Sequence, residues 1–134
     1  MLNYRAVSYA IFRITVGVMF LVYGIEKFQG GIAATAEGMT KQFGSKLPSV
    51  LVSPFAHVLP FAEVGIGVLL ILGLITELGL VLAGLLMLAL TFGALIGVPA
   101  AVGNNIMYSF VIFVLMWGLD NNRYSVDGLI RRKR

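Results

Sequence analysis

Four apolar stretches, each close to the length that crosses a lipid bilayer, fill most of this 134-residue sequence. At about 1.5 Å of rise per helical residue, roughly 20 residues span a hydrocarbon core of about 30 Å. The first stretch runs from about Ala6 to Phe28 and the second from about Pro54 to Ile75. The third covers about Leu78 to Val98, and the fourth, the shortest, about Asn104 to Leu119. The expected fold is therefore all-α: one four-transmembrane-helix bundle over residues 1–134, with almost no extramembrane mass.

Composition agrees with lipid as the solvent. Hydrophobic residues make up 59% and charged residues 12%, about half the charged share of a soluble domain. No cysteine is present, which excludes disulfides, thiol redox chemistry and thiolate metal or iron–sulfur sites. The net charge of +4 is no nucleic-acid signal, because the excess comes mainly from the terminal run Arg131-Arg132-Lys133-Arg134. Such a run beside a membrane helix reads as a topology determinant. With Arg5 it places both chain ends on the cytoplasmic side, and the protein is expected in the inner, or plasma, membrane. Arg13 within the first stretch, and the lack of a cleavage pattern before Glu26-Lys27, argue for a retained helix rather than a signal peptide.

Local signals refine the connections. Thr76-Glu77 leaves so short a link that spans two and three must form an antiparallel hairpin. The only sizeable loop, about Gln29 to Ser53, has room for a short amphipathic helix on the outer surface. Ser53-Pro54 reads as a helix start, with Ser as N-cap and Pro at the first position. Pro60 then falls inside that helix and should kink it or free a carbonyl. Ala89, Gly93 and Gly97 recur every four residues and offer a face that another helix can approach closely.

A charged side chain in hydrocarbon is costly, so each one there needs a reason. Arg13 is expected to snorkel or to pair with an acid at its level; Asp120 is the candidate partner, with Glu77 a second. Glu26 lies thirteen positions further on, about 20 Å along the helix, so the two cannot share a site. At the outer end, Glu26, His57, Glu63, Asn104 and Asn105 converge. Glu63 is the deepest, and a carboxyl there is either neutral or held ionised by a cation or several donors. Beside amide donors it can bind a quinone head group or relay a proton, or it can serve only as interhelical glue. Glu63 is thus the candidate catalytic residue, and Glu26, His57, Asn104 and Asn105 the candidate ligand-binding residues. Glu26, His57 and Glu63 have no metal-site spacing, so no metal is expected. Haem, flavin and iron–sulfur clusters are not expected either: there is one histidine, no nucleotide-binding glycine motif and no cysteine.

Several of these segments resemble the DoxX family. Arg13, then Gly17-Val18-Met19-Phe20-Leu21 and Tyr23-Gly24-Ile25-Glu26-Lys27, are similar to its first helix. Glu63-Val64-Gly65-Ile66-Gly67 and Leu72-Gly73-Leu74-Ile75-Thr76 resemble its second. Asn104-Asn105 and the tail Asp120-Asn121-Asn122-Arg123-Tyr124-Ser125-Val126-Asp127 match the two ends of its last helix. The family takes its name from a membrane subunit linked to thiosulfate:quinone oxidoreduction, and other members are associated with redox-stress or catechol-handling partners. The resemblance implies a four-helix inner-membrane subunit near quinone chemistry, with Arg13, Glu26-Lys27, Glu63, Asn104 and Arg123 at recurrent polar places. One departure is Glu26, where many relatives carry a neutral polar residue. The leading expectation is a quinone-binding membrane subunit that works with a protein partner or as a homo-oligomer. The alternative is a non-catalytic scaffold for a soluble redox protein, docked through the basic tail and Arg123. A proton-coupled transporter ranks behind both, since four spans without a visible repeat suit it only as a dimer.

Overall fold

The computed structural model describes residues 1–133; Arg134, the last residue of the basic run, lies outside them. Six α-helices follow in order: α1 (Tyr4–Gly30), α2 (Ile32–Phe43), α3 (Ser49–Leu72), α4 (Thr76–Gly97), α5 (Val102–Trp117) and α6 (Val126–Arg132). Among the described residues there is no strand. Four segments are long and apolar enough to cross a membrane: α1, α3, α4 and the stretch Pro99–Trp117, in which a 3₁₀ turn leads into α5. The expected bundle is therefore present, and four crossings put both chain ends at one end of it.

The tightest pairing is α1 on α3, and glycine makes it. A Cβ on Gly67 would stand 2.7 Å from the Leu21 backbone nitrogen and 2.8 Å from the Gly17 carbonyl oxygen. One on Gly24 would stand 2.9 Å from the Val64 nitrogen and 3.0 Å from the Pro60 oxygen. The two backbones touch, which is how helices gain dispersion energy where lipid supplies no hydrophobic drive. The small-residue face on α4 has another use. No helix packs into it: Ala89 is exposed, and the Phe43 ring at the end of α2 fills the space over Gly93 and Gly97. An aromatic ring from the loop helix occupies what the four-residue spacing offers to a neighbouring helix.

Three boundaries move. Helix α3 starts at Ser49, with Pro48 as its cap, and runs through both Pro54 and Pro60. The Pro48 carbonyl accepts from Leu51 and Val52 at 3.0 and 3.3 Å, so the first turn forms before Ser53-Pro54 is reached. Pro54 and Pro60 both lie inside the helix, and each removes one amide from its i→i−4 ladder. At its other end α3 stops at Leu72, because Gly73 turns left-handed (φ 65°) and Leu74 N–H bonds back to the Leu69 carbonyl at 3.0 Å. The link to α4 is Gly73–Ile75, with Ile75 itself at φ 46°. The fourth membrane-length segment starts at Pro99, so Asn104 and Asn105 lie inside it rather than at its start.

Candidate functional site

At the end of the bundle away from the chain termini, α1 to α5 line a half-open cavity of about 370 Å³. Glu63, Asn104 and Asn105 all line it, so three of the five outer-end candidates meet there. Phe20, Met19, Met39, Met87 and Phe43 supply much of the apolar wall, and Tyr23 and Tyr108 add two phenols. Such a volume lies at the lower end of the range for small-molecule pockets.

Glu63 is 4% exposed and has a cation. Lys27 Nζ stands 3.0 Å from Oε1, to which it donates, and 2.9 Å from Oε2. The second approach is a charge contact off the hydrogen-bond direction, and Oε2 receives no hydrogen bond. Lys27 also lies 5.6 Å from the centre of the Tyr23 ring, and its side chain keeps 25% of its surface exposed. The carboxylate is therefore held by one partly wetted ammonium, with acceptor capacity left on the buried oxygen.

Lys27, rather than Glu26, is the α1 residue that completes this group. The buried stripe of α1 runs Ala6, Tyr9, Arg13, Val16-Gly17, Phe20, Gly24, and the next step of three falls on Lys27. Glu26 is one position off that stripe and exposed. His57 is likewise exposed; its Nδ1 lies 2.7 Å from the Ser53 carbonyl on its own helix, and it does not line the cavity. Neither residue is brought to Glu63. Among the described residues no three His, Asp or Glu side chains gather around one point.

The opposite end corrects the expected ion pair. Arg13 is 1% exposed, so it does not snorkel, and it bonds to no acid. It donates to two backbone carbonyls, Leu70 at 2.9 Å and Tyr124 at 2.8 Å. Asp120 is exposed, as is Glu77. The reason lies in the end of α3: the left-handed turn at Gly73 leaves the Leu70 carbonyl without an amide, and a guanidinium fills that gap at the negative end of the helix dipole. Through Tyr124 the same group ties down the C-terminal segment. Asp127 ties it a second time, accepting from Ile75 N–H (2.8 Å), Thr76 N–H (2.8 Å) and the Thr76 hydroxyl (2.7 Å). Burial alone pushes the Asp127 carboxyl up, but these bonds and the nearby Arg131 outweigh it and hold it below its ordinary range. Ile75 keeps its strained backbone because its N–H is bound there.

A protein-family model for DoxX matches residues 8–96, about two thirds of the sequence. The chain belongs to the DoxX family. Its four membrane-length helices make it a multi-pass DoxX membrane protein. Neither the curated proteins nor the solved structures gave a match. The matched DoxX region takes in Arg13, Lys27, Glu63 and the glycine seam. It stops before Asn104, Asn105 and the Arg123-to-Asp127 tail.

Proposed function

We propose that this DoxX protein binds the head group of a quinone, or of a similar lipid-soluble redox molecule, in the cavity beside Glu63. The observation that carries the reading is the Glu63 carboxylate in the cavity wall, held by Lys27 at 3.0 and 2.9 Å in the same cavity as Asn104 and Asn105. A quinol hydroxyl can donate to that carboxylate, and a quinone carbonyl can accept from Lys27 or from an asparagine amide. The methionine and phenylalanine walls suit a ring, since soft side chains adapt to varied shapes. Glu63 is then the group that exchanges a proton with the bound ring. Electrons pass to or from a partner protein or a second substrate, so the chain acts as a subunit rather than a complete oxidoreductase.

The orientation follows from charge. Six of the ten Lys and Arg residues lie toward the ends of the chain and three in or beside the first loop. Of those three, Lys27 is held by Glu63, Lys41 by Glu37 at 2.7 Å, and Lys46 by the Ile96 carbonyl at 2.7 Å. This favours cytoplasmic termini in the inner membrane, with the cavity toward the outer leaflet.

The test is a titration of the full chain in detergent with a short-tailed quinone, read as a shift in melting temperature. Wild type should be stabilised by the quinone. Glu63→Gln and Asn105→Ala should each lose most of that shift while staying folded, with melting temperatures no more than about 8 °C below wild type without ligand. A shift that survives both substitutions places the binding elsewhere and refutes the assignment.

A further inference from the structure

The end of the bundle that carries both termini holds a second polar concavity, of about 350 Å³, formed where α6 folds back after α5. Its wall contains Arg123, Arg131 and Arg132, together with Asp120 and Asn122. Among the described residues the ion pairs are Lys27–Glu63 and Lys41–Glu37, so none of the three arginines is in direct contact with a carboxylate, and Arg131 acts on Asp127 only at longer range. All three are exposed. Their forked donors suit the oxygens of a phosphate. The same concavity also offers acceptors: Asp120 is exposed without an ion-pair partner, and Asn122 is buried with its Oδ1 unpartnered. The Asn122 amide is meanwhile fixed by its bond to Thr76 Oγ1 at 2.8 Å, which sets the orientation of that oxygen.

The exposed apolar residues of the same end of the molecule decide between a soluble anion and a lipid. Leu129 and Ile130, adjoining Arg131 and Arg132 on α6, are 59% and 48% exposed. Trp117 at the end of α5 is 82% exposed, and Tyr124 is exposed as well. Basic side chains beside exposed leucine, isoleucine and tryptophan form the pattern of a segment seated at the membrane surface.

We infer that Arg123, Arg131 and Arg132, with Asp120 and Asn122 beside them, form a site for an anionic phospholipid whose head group also bears hydroxyls, as in phosphatidylglycerol. The phosphodiester accepts from the guanidinium groups, and the glycerol hydroxyls donate to Asp120 and Asn122. The net positive charge of the group favours an anionic over a zwitterionic lipid. This inference stands apart from the quinone proposal, which concerns the other end of the molecule.

The experiment uses the full chain in detergent, supplemented with short-chain phosphatidylglycerol, phosphatidic acid, phosphatidylcholine or sn-glycerol 3-phosphate. Melting temperature and lipid retained in native mass spectrometry are the two readouts. Phosphatidylglycerol should be retained and stabilising, and phosphatidylcholine should not. Replacing the three arginines together by glutamine should weaken phosphatidylglycerol binding roughly hundredfold, the product of three surface charges each contributing a several-fold effect. Lys41→Gln should leave it unchanged. Asp120→Ala, which removes an acceptor for the glycerol hydroxyls, should reduce the preference for phosphatidylglycerol over phosphatidic acid. Equal retention of phosphatidylcholine, or full retention by the triple variant, overturns the site. So does a complete effect from glycerol phosphate alone, which would mark a soluble-anion site. If the triple variant melts far below wild type without lipid, the single variants Arg123→Gln and Arg132→Gln, each expected to bind several-fold more weakly, decide the matter.

Discussion

Replacing Lys27 by methionine tests whether Glu63 is a paired charge or merely a polar side chain among helices. The ammonium is the sole side-chain hydrogen-bond donor to the carboxylate among the described residues, at 3.0 Å. Removing one partner of a fully buried pair costs about 3–5 kcal/mol. Lys27 is a quarter exposed, so water already screens part of the attraction, and about 2–3 kcal/mol is the expected loss at neutral pH. Glu63→Gln leaves the ammonium near water and should cost less, about 1 kcal/mol. The double variant, Lys27→Met with Glu63→Gln, buries no uncompensated charge and should lie within about 1 kcal/mol of wild type. The cycle therefore predicts a coupling of about 2–4 kcal/mol, well outside the error of additivity. Unfolding in mixed detergent micelles, followed by loss of helical ellipticity, supplies the four free energies. Two small and additive single effects would refute the reasoning, since they would mean that the carboxyl does not depend on Lys27.

Two further substitutions probe the frame around the site. Asp127→Ala removes three hydrogen bonds and the support for Ile75, and should lower stability by about 2–3 kcal/mol. Because the Asp127 carboxyl is held below its ordinary range, its stabilisation is complete above the unfolded value of about 3.9 and is lost as pH falls through the folded value. Wild type should therefore show a fall in melting temperature below about pH 4 that is smaller in the variant; identical acid limbs would contradict this. Gly67→Ala drives a methyl into the Leu21 and Gly17 backbones at under 3 Å and should cost about 1–3 kcal/mol, whereas Gly65→Ala, with open space beside it, should be neutral by the same thermal measurement.

Much of this molecule can be read from helical periodicity, and the failures have physical reasons. On α3 the buried positions Ala56, Leu59-Pro60, Glu63, Ile66-Gly67 and Leu70 form one stripe, so Glu63 is legible as inward-facing. The same stripe leaves His57 outside, next to Ala56 but turned by about 100°. On α1 it selects Lys27 over Glu26. Depth within a membrane is a poorer guide to a site than the face of the helix, which is why proximity to the outer end gathers too many candidates. The partners of Arg13 are not legible at all. They are backbone carbonyls, one freed by the left-handed turn at Gly73 and one 111 positions away in sequence, and no side-chain pattern announces a carbonyl. Nor does the spacing of Gly93 and Gly97 say whether a helix or a single ring will come to rest there.

The two inward-facing cations of α1, Arg13 and Lys27, explain why the cavity end and the terminal end of this bundle are mechanically one piece. Arg13 and Lys27 are fourteen residues apart, about 21 Å, and lie on the same face, toward α3. The first closes the C-terminal end of α3 through the Leu70 carbonyl, and the second meets its carboxylate at Glu63. Between them Gly17, Gly24 and Gly67 hold the backbones in contact. A slip of α1 along α3 by one turn, about 5.4 Å, breaks both polar contacts and places side chains where only glycine fits. Apolar packing alone specifies such a register weakly in lipid, and two charged groups with defined partners specify it strongly. Glu63 is thus fixed against α1, and opening of the cavity to a ligand must come from its other walls. Of these, α2 begins after Gly31 at φ 91°, packs mainly on α3 and rests its terminal Phe43 on the glycines of α4, so the Phe43 ring is the part of that wall that a rotamer change can move.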